Sequence, residues 1–242
     1  LPSTKVLAVI PARYGSKRFP GKPLAEISGV PMIVRVLRRV ERIRGIDRVV
    51  VATDDERIRD AVVSAGGEAM MTLKAHRSGT SRSAEAAAAF RHGLVLNVQG
   101  DEPLLPVAGV ERLIAVMKAE RNLVMGTLAA RSADPEAAAR RDVVKVVRSR
   151  GGMALYFSRS PVPSGPGPFL HHIGVYLYRR SFLLGYGSLP RGPMEKREDL
   201  EQLRALENGY GIRVVECGGK SLGVDRPEDI KRVEKRIEKR LR

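Results

Sequence analysis

The sequence predicts an α/β fold: a mostly parallel central sheet covered by helices. Short apolar runs, Val6-Leu7-Ala8-Val9-Ile10, Val49-Val50-Val51-Ala52 and Leu94-Val95-Leu96-Asn97-Val98, alternate with segments of helical period. Runs this short and continuous suit strands buried on both faces. Polar loops follow the runs, and a βαβ series of this kind builds a parallel sheet.

Each element follows from local pattern. Residues 5–10 read as the first strand. Residues 31–44 read as a helix, with Met32, Ile33, Val36, Leu37, Val40 and Ile43 on one face. Arg48–Ala52 is a buried strand, and a helix runs from Asp55 to about Ala65. A short strand near 68–71, an alanine-rich helix over 80–92, the strand 94–98 and a helix near 107–121 complete the series. The second half is less regular. Strands are expected at 143–148 and 153–157 and over 172–178, around a Pro/Gly-rich irregular stretch at 160–168. A helix over 194–208 and a strand over 212–216 follow. The last sixteen residues, with Ile230, Val233, Ile237 and Leu241, form a basic amphipathic helix.

At 242 residues the chain suits one mixed α/β domain with a strand-rich excursion. Tryptophan is absent and aromatics are 5%, so Leu, Val, Ile and Ala must fill the core. The formal charge of +16 fits anionic small substrates, a membrane surface or nucleic acid. The cations are spread along the chain and aromatics do not alternate with them, which disfavours a single-strand stacking surface. Cys217 is the one cysteine, so intramolecular disulfides and thiolate clusters are excluded and a reducing cytoplasm fits. The run at 6–10 is too short for a signal-peptide core, and no segment reaches the length of a membrane span.

The loop Pro11-Ala12-Arg13-Tyr14-Gly15-Ser16-Lys17-Arg18-Phe19-Pro20-Gly21-Lys22-Pro23 carries four cations, two glycines and three prolines. Such a loop is either a solvated surface or a phosphate cradle. Its place after the first strand favours the cradle, because ligands in open α/β sheets bind at the carboxyl ends of strands.

Further polar clusters fall beside strands: Thr53-Asp54-Asp55, His76–Arg82 and Gln99-Gly100-Asp101-Glu102-Pro103. Asp101 is the best metal candidate, since Mg²⁺ binds through one or two carboxylates plus substrate phosphates. Asp225 is the choice for a second carboxylate, although Asp before Arg226-Pro227-Glu228-Asp229 favours a helix cap on local grounds. Asp54 and Asp55 read as helix-start residues, and Glu102 as a supporting or solvent-facing group. The four histidines have no zinc spacing. His172 could face a site or the core. No nucleophile elbow is present, which points to positioning and electrostatics rather than covalent catalysis.

In order along nearly the whole chain, the sequence resembles the 3-deoxy-manno-octulosonate (Kdo) cytidylyltransferase family. The resemblance rests on the loop at 11–24, Ala52-Thr53-Asp54-Asp55, His76-x-Ser78-Gly79-Thr80 and Asn97-Val98-Gln99-Gly100-Asp101-Glu102-Pro103. It continues through Val143-Val144-Lys145-Val146-Val147, Ala154-Leu155-Tyr156-Phe157-Ser158-Arg159 and His172-Ile173-Gly174-Val175-Tyr176. Leu200-Glu201-Gln202-Leu203-Arg204 and Gly223-Val224-Asp225-x-Pro227-Glu228-Asp229 close it.

The resemblance implies a Rossmann-like nucleotidyltransferase fold and a homodimer. It implies a nucleotide-binding portion over about 1–130, a sugar-acid-binding and dimerisation portion over about 140–210, and a C-terminal helix at 223–242 packing back. It implies Mg²⁺-dependent transfer from CTP to Kdo, giving CMP-Kdo and diphosphate for lipopolysaccharide synthesis. Pro11, Ala12, Arg13, Ser16, Arg18 and Lys22, with Ser78, Gly79 and Thr80, would then hold the nucleotide. Arg13, Arg18 and Lys22 would also serve catalysis. Asp101 and Asp225 would hold the metal, which reverses the capping preference for Asp225. Gln99, His172, Tyr176, Glu201 and Gln202 would line the sugar-acid pocket, and Arg159 would serve that pocket or a dimer contact near it.

The chain departs from the family at Ser81, where an acidic residue is usual, and at His171, where arginine is commoner. The loop between Pro163 and Phe169 is short, and Met194-Glu195-Lys196-Arg197 is unusually basic. These departures leave the acceptor open between Kdo, an 8-amino analogue and another 2-keto-3-deoxy sugar acid. A basic nucleic-acid-binding protein on the same scaffold is the distant alternative.

Overall fold

A computed structural model describes residues 4–15, 19–218 and 222–241. The chain clusters into two compact units, residues 1–107 with 221–242, and residues 108–220.

The first unit begins with β1 (Val6–Ala12), buried along its whole length. A 3-10 turn (Lys22–Leu24) and a small hairpin, β2 (Glu26–Ile27) with β3 (Val30–Pro31), lead into α1 (Met32–Glu41). The predicted apolar face of α1 is the buried one, with Met32, Ile33, Val36, Leu37 and Val40. Next come β4 (Arg48–Thr53), α2 (Glu56–Ser64), β5 (Ala69–Met71), α3 (Gly79–Ala88) and β6 (Leu94–Val98). β1 pairs in parallel with β4 on one side and β6 on the other, and β5 extends β4. A strand flanked on both edges in a helix-covered sheet must be apolar throughout, which explains the unbroken run at 6–10.

Caps define the helix starts. Asp55 accepts the Arg57 N–H at 3.1 Å, as a helix-start residue should. Ser78 accepts the Ser81 N–H at 3.2 Å, and the Ser81 hydroxyl reaches back to the Ser78 N–H, closing a capping box. Ser81 therefore performs the return bond that an acidic residue would supply. α3 stops at Ala88, earlier than its alanine pattern predicts.

The second unit contains α4 (Val107–Ala119), β7 (Met125–Ser132), α5 (Pro135–Ala139), β8 (Lys145–Arg148) and β9 (Ala154–Ser158). It continues with β10 (Phe169–Arg179), α6 (Arg180–Tyr186), α7 (Pro193–Glu198), α8 (Leu203–Glu207) and β11 (Ile212–Cys217). β10 runs antiparallel to β7 and β8, β9 is antiparallel to β8, and β11 is parallel to β7. β7 is not legible in the sequence, because Gly126, Ala129, Ala130 and Ser132 have little strand propensity. Its logic is close packing: a Cβ at Gly126 would lie 2.7 Å from Leu113 of α4. The predicted single helix over 194–208 is also corrected. It breaks into α7 and α8 at Asp199, which is left-handed with φ 52°.

α9 (Pro227–Leu241) belongs to the first unit. Leu, Val, Ile and Ala dominate the buried residues, as the composition requires. Among the described residues no helix is long and apolar enough to cross a membrane.

Candidate active site

In the first unit the carboxyl ends of β1 and β6, the N-terminus of α3 and the entry to α9 surround a cleft of about 430 Å³. Pro11, Ala12, Arg13, Lys22, Ser78, Gly79, Gln99, Asp101 and Asp225 line it, all of them site residues expected from the sequence. Pro23, His76, Arg77, Arg82 and Gly100 line it as well. Thr80 is buried on α3 and is not among the lining residues. Ser16 and Arg18 lie outside the described residues.

The loop after β1 is closed at its base, where the Gly21 N–H donates to the Tyr14 carbonyl at 3.0 Å. Arg57, paired with Asp55 at 2.7 Å, stacks 3.5 Å over the Tyr14 ring. Lys22 then turns inward. Its Nζ lies 2.5 Å from Asp101 Oδ2, 2.9 Å from the Val224 carbonyl and 3.8 Å from Asp225 Oδ1. Asp101 and Asp225 thus converge on one cation although they are far apart in sequence. Their carboxylates remain 30% and 48% exposed, open to further ligands. Asp229, in the first turn of α9, reaches back to the residues before the helix: its Oδ2 accepts the N–H groups of Asp225 and Arg226, each at 3.0 Å, which fixes the Asp225 backbone at the helix entry.

α3 directs its N-terminal N–H groups and positive dipole end to the cleft, a setting suited to phosphate. Gly79, at its first position, faces Gln99: a Cβ there would stand 2.9 Å from Gln99 Oε1 and 3.1 Å from Pro11 Cγ. Gln99 is in turn oriented by Asn97, which accepts its Nε2–H at 3.2 Å. Arg82 is buried and holds α3 to the sheet through Asp54 at 2.8 Å and Thr72 at 2.5 Å. His76 hydrogen-bonds Glu85. Burial raises the Glu85 pKa, but bonds from His76 and the Leu73 N–H outweigh it and hold the carboxyl below its ordinary value.

His172, Tyr176, Arg159, Glu201 and Gln202 lie in the second unit. His172 is buried, with its ring 5.0 Å from Phe157 and 5.5 Å from Tyr176. Residues four apart in a regular strand are about 13 Å apart. The ring approach reflects a bulge in β10, where the register with β7 shifts between Ile173 and Tyr176. Thr127 secures the bulge. Its hydroxyl donates to the Val175 carbonyl at 2.7 Å and so accepts from His172 Nε2 at 3.0 Å. That assigns the proton of neutral His172 to Nε2. Desolvation, with repulsion from His171, lowers the His172 pKa to about 3. Arg159 donates Nε to the Glu198 carbonyl at 2.7 Å, and its N–H to the Glu198 carboxylate at 2.8 Å.

A family model described as cytidylyltransferase matches residues 7–221, and with the helix-covered parallel sheet this sets the class as a nucleotidyltransferase. A 3-deoxy-manno-octulosonate cytidylyltransferase of Syntrophotalea carbinolica is 50% identical over 242 residues, covering 95% of this chain and 97% of the relative. One from Solibacter usitatus is 47% identical over 234 residues, covering 95% and 93%. A solved CMP:2-keto-3-deoxy-manno-octonic acid synthetase complexed with CTP is 41% identical, with a TM-score of 0.93 over 98% of this chain and 99% of that one. The chain belongs to the 3-deoxy-manno-octulosonate cytidylyltransferase family.

Proposed function

We propose that the chain transfers the cytidylyl group of CTP to the anomeric hydroxyl of Kdo, forming CMP-Kdo and releasing diphosphate. The observation that carries this is the solved relative complexed with CTP, similar to this chain over almost its whole length. The first unit's cleft supports it: its cations and the α3 N-terminus suit a triphosphate.

In this reading Arg13, Ser78 and Gly79 bind the triphosphate, and Lys22 offsets negative charge as diphosphate departs. Gly79 and Gln99 set how closely the nucleotide approaches α3. His172, held neutral, supplies a fixed polar and aromatic surface beside Tyr176 for the acceptor. Gln99, Glu201, Gln202 and Arg159 complete the set assigned to the sugar acid.

Asp101 and Asp225 fit Mg²⁺. They are hard oxygen donors, partly exposed, converging on one cation in the triphosphate cleft, and two carboxylates leave positions for phosphate oxygens. When bound there, Mg²⁺ would supply Lewis-acid neutralisation of phosphate charge. We further propose a homodimer, as the family resemblance implies, and a cytoplasmic setting, which the one free, buried thiol of Cys217 suits.

The test is diphosphate release by the purified protein with Mg²⁺, across a panel of nucleotides and sugar acids. CTP with Kdo should be the preferred pair. No release with that pair would overturn the reading, and preference for the 8-amino analogue or a sialic acid would reassign the acceptor.

A further inference from the structure

The turn that carries Glu201 and Gln202 is held by a reciprocal lock between α7 and α8. Glu195 of α7 is buried and receives Arg204 of α8 in a two-pronged pair, Nε to Oε2 at 2.8 Å and Nη2 to Oε1 at 2.7 Å. Arg191 adds a bond to Glu195 Oε1 at 2.9 Å. In the other direction, Glu207 of α8 accepts the N–H groups of Met194 and Glu195 at 2.8 and 2.9 Å. The chain crosses between the helices through left-handed Asp199, Leu200, Glu201 and Gln202. Tyr186, also buried, donates its hydroxyl to the Glu201 carbonyl at 2.7 Å. The Arg204 guanidinium lies 5.2 Å from the Tyr186 ring centroid, and its Nη2 lies 3.9 Å from Glu201 Oε1.

Two physical points give this lock a purpose beyond stability. A buried ion pair contributes little net stability compared with apolar packing, and its best-supported use is to specify one conformation. The side chain next in line, Gln202, is 5% exposed, and among the described residues its Nε2 has no hydrogen-bond partner. A buried donor without a partner is unfavourable, so a partner from outside the chain is favoured.

We propose that Arg204, held by Glu195, is a positioning residue for the sugar-acid acceptor, setting the 199–202 turn so that Glu201 and Gln202 meet that substrate. The proposal rests on the assignment of those two residues to the acceptor pocket. Lysine cannot reproduce the fork, so Arg204→Lys keeps the charge and removes the geometry.

The test compares Arg204→Lys, Tyr186→Phe and Gln202→Ala by steady-state kinetics with CTP and Kdo varied separately, alongside melting temperature. Arg204→Lys should raise KM for Kdo about tenfold or more and leave KM for CTP within about twofold. Tyr186→Phe deletes one bond to the Glu201 carbonyl and keeps the ring. It should move KM for Kdo the same way by a smaller factor, and it covers the case in which Arg204→Lys does not fold. Gln202→Ala should raise KM for Kdo directly. If Gln202→Ala does so while both lock variants only lower the melting temperature, the positioning role is overturned. An unchanged KM for Kdo in Gln202→Ala overturns the pocket assignment, and the proposal with it.

Discussion

Lys22 Nζ lies 2.5 Å from Asp101 Oδ2, so a residue of the loop after β1 is tied to the residue that ends the β6 turn. The same ammonium reaches the Val224 carbonyl and Asp225, joining three distant chain segments at one point. The relationship implies that this cation and these carboxylates act as a unit. Lys22→Met is expected to lower kcat/KM by about 10²–10³, the scale of a lost electrostatic contact to developing charge. Asp101→Ala and Asp225→Ala should each abolish diphosphate release with an unchanged far-UV circular dichroism spectrum. Near-normal turnover in either would refute the metal assignment.

Gly79 is needed for close approach. In Gly79→Ala the new methyl meets Gln99 and Pro11 at 2.9 and 3.1 Å, so Gln99 must move. Gly79 is the first residue of α3, where alanine gains little of its interior helix preference, and the nearest contact is the movable end of Gln99, so stability should be nearly unchanged. KM for CTP should rise about tenfold, the scale expected for a displaced contact. Isothermal titration with CTP checks this, and wild-type affinity would show that Gln99 yields without consequence.

Thr127 holds the β10 bulge from a strand that carries no expected site residue. Thr127→Val leaves the Val175 carbonyl and His172 Nε2 without their partner, a loss of about 1–3 kcal/mol. Urea denaturation should register that loss. KM for Kdo should rise as the His172–Tyr176 geometry relaxes, and wild-type kinetics would show that the bulge does not depend on the hydroxyl.

His172 has a pH signature. Its pKa is about 3 in the folded chain, against about 6.5 when unfolded. Below pH 6.5 the unfolded chain takes up a proton that the native chain refuses, so stability falls as pH drops from 6.5 towards 3. The slope from this one group is about 1.4 kcal/mol per pH unit. His172→Gln should flatten the stability profile by about that slope between about pH 5.5 and 4, where the unfolded histidine is protonated and the native one is not. Parallel wild-type and variant profiles would contradict a neutral, buried His172.

Much of the first unit is readable from the chain alone. The runs at 6–10, 48–52 and 94–98 are continuous because their strands are buried on both faces, and continuity is visible without a structure. The α1 stripe is visible for the same reason. Short-range chemistry is also legible: Asp55 caps α2, and the loop at 11–23 announces an anion site through cations and glycines. Ordered motifs along the chain carried the family, which no single spacing could have done.

Only the tertiary structure decided the rest, because it depends on contacts across long sequence separations. β7 is a strand because β10 and β11 pair with it on either side and Gly126 lets α4 pack close, not because its residues prefer extension. The helix read over 194–208 breaks because Glu195 and Glu207 each find partners on the other half, which outweighs local propensity. Local rules favour Asp225 as a cap. In the folded chain Asp229 fixes the Asp225 backbone by accepting its N–H, and the Asp225 carboxylate lines the cleft beside Lys22. Residue types and order determined which chemistry the chain can hold; packing decided which of those residues meet.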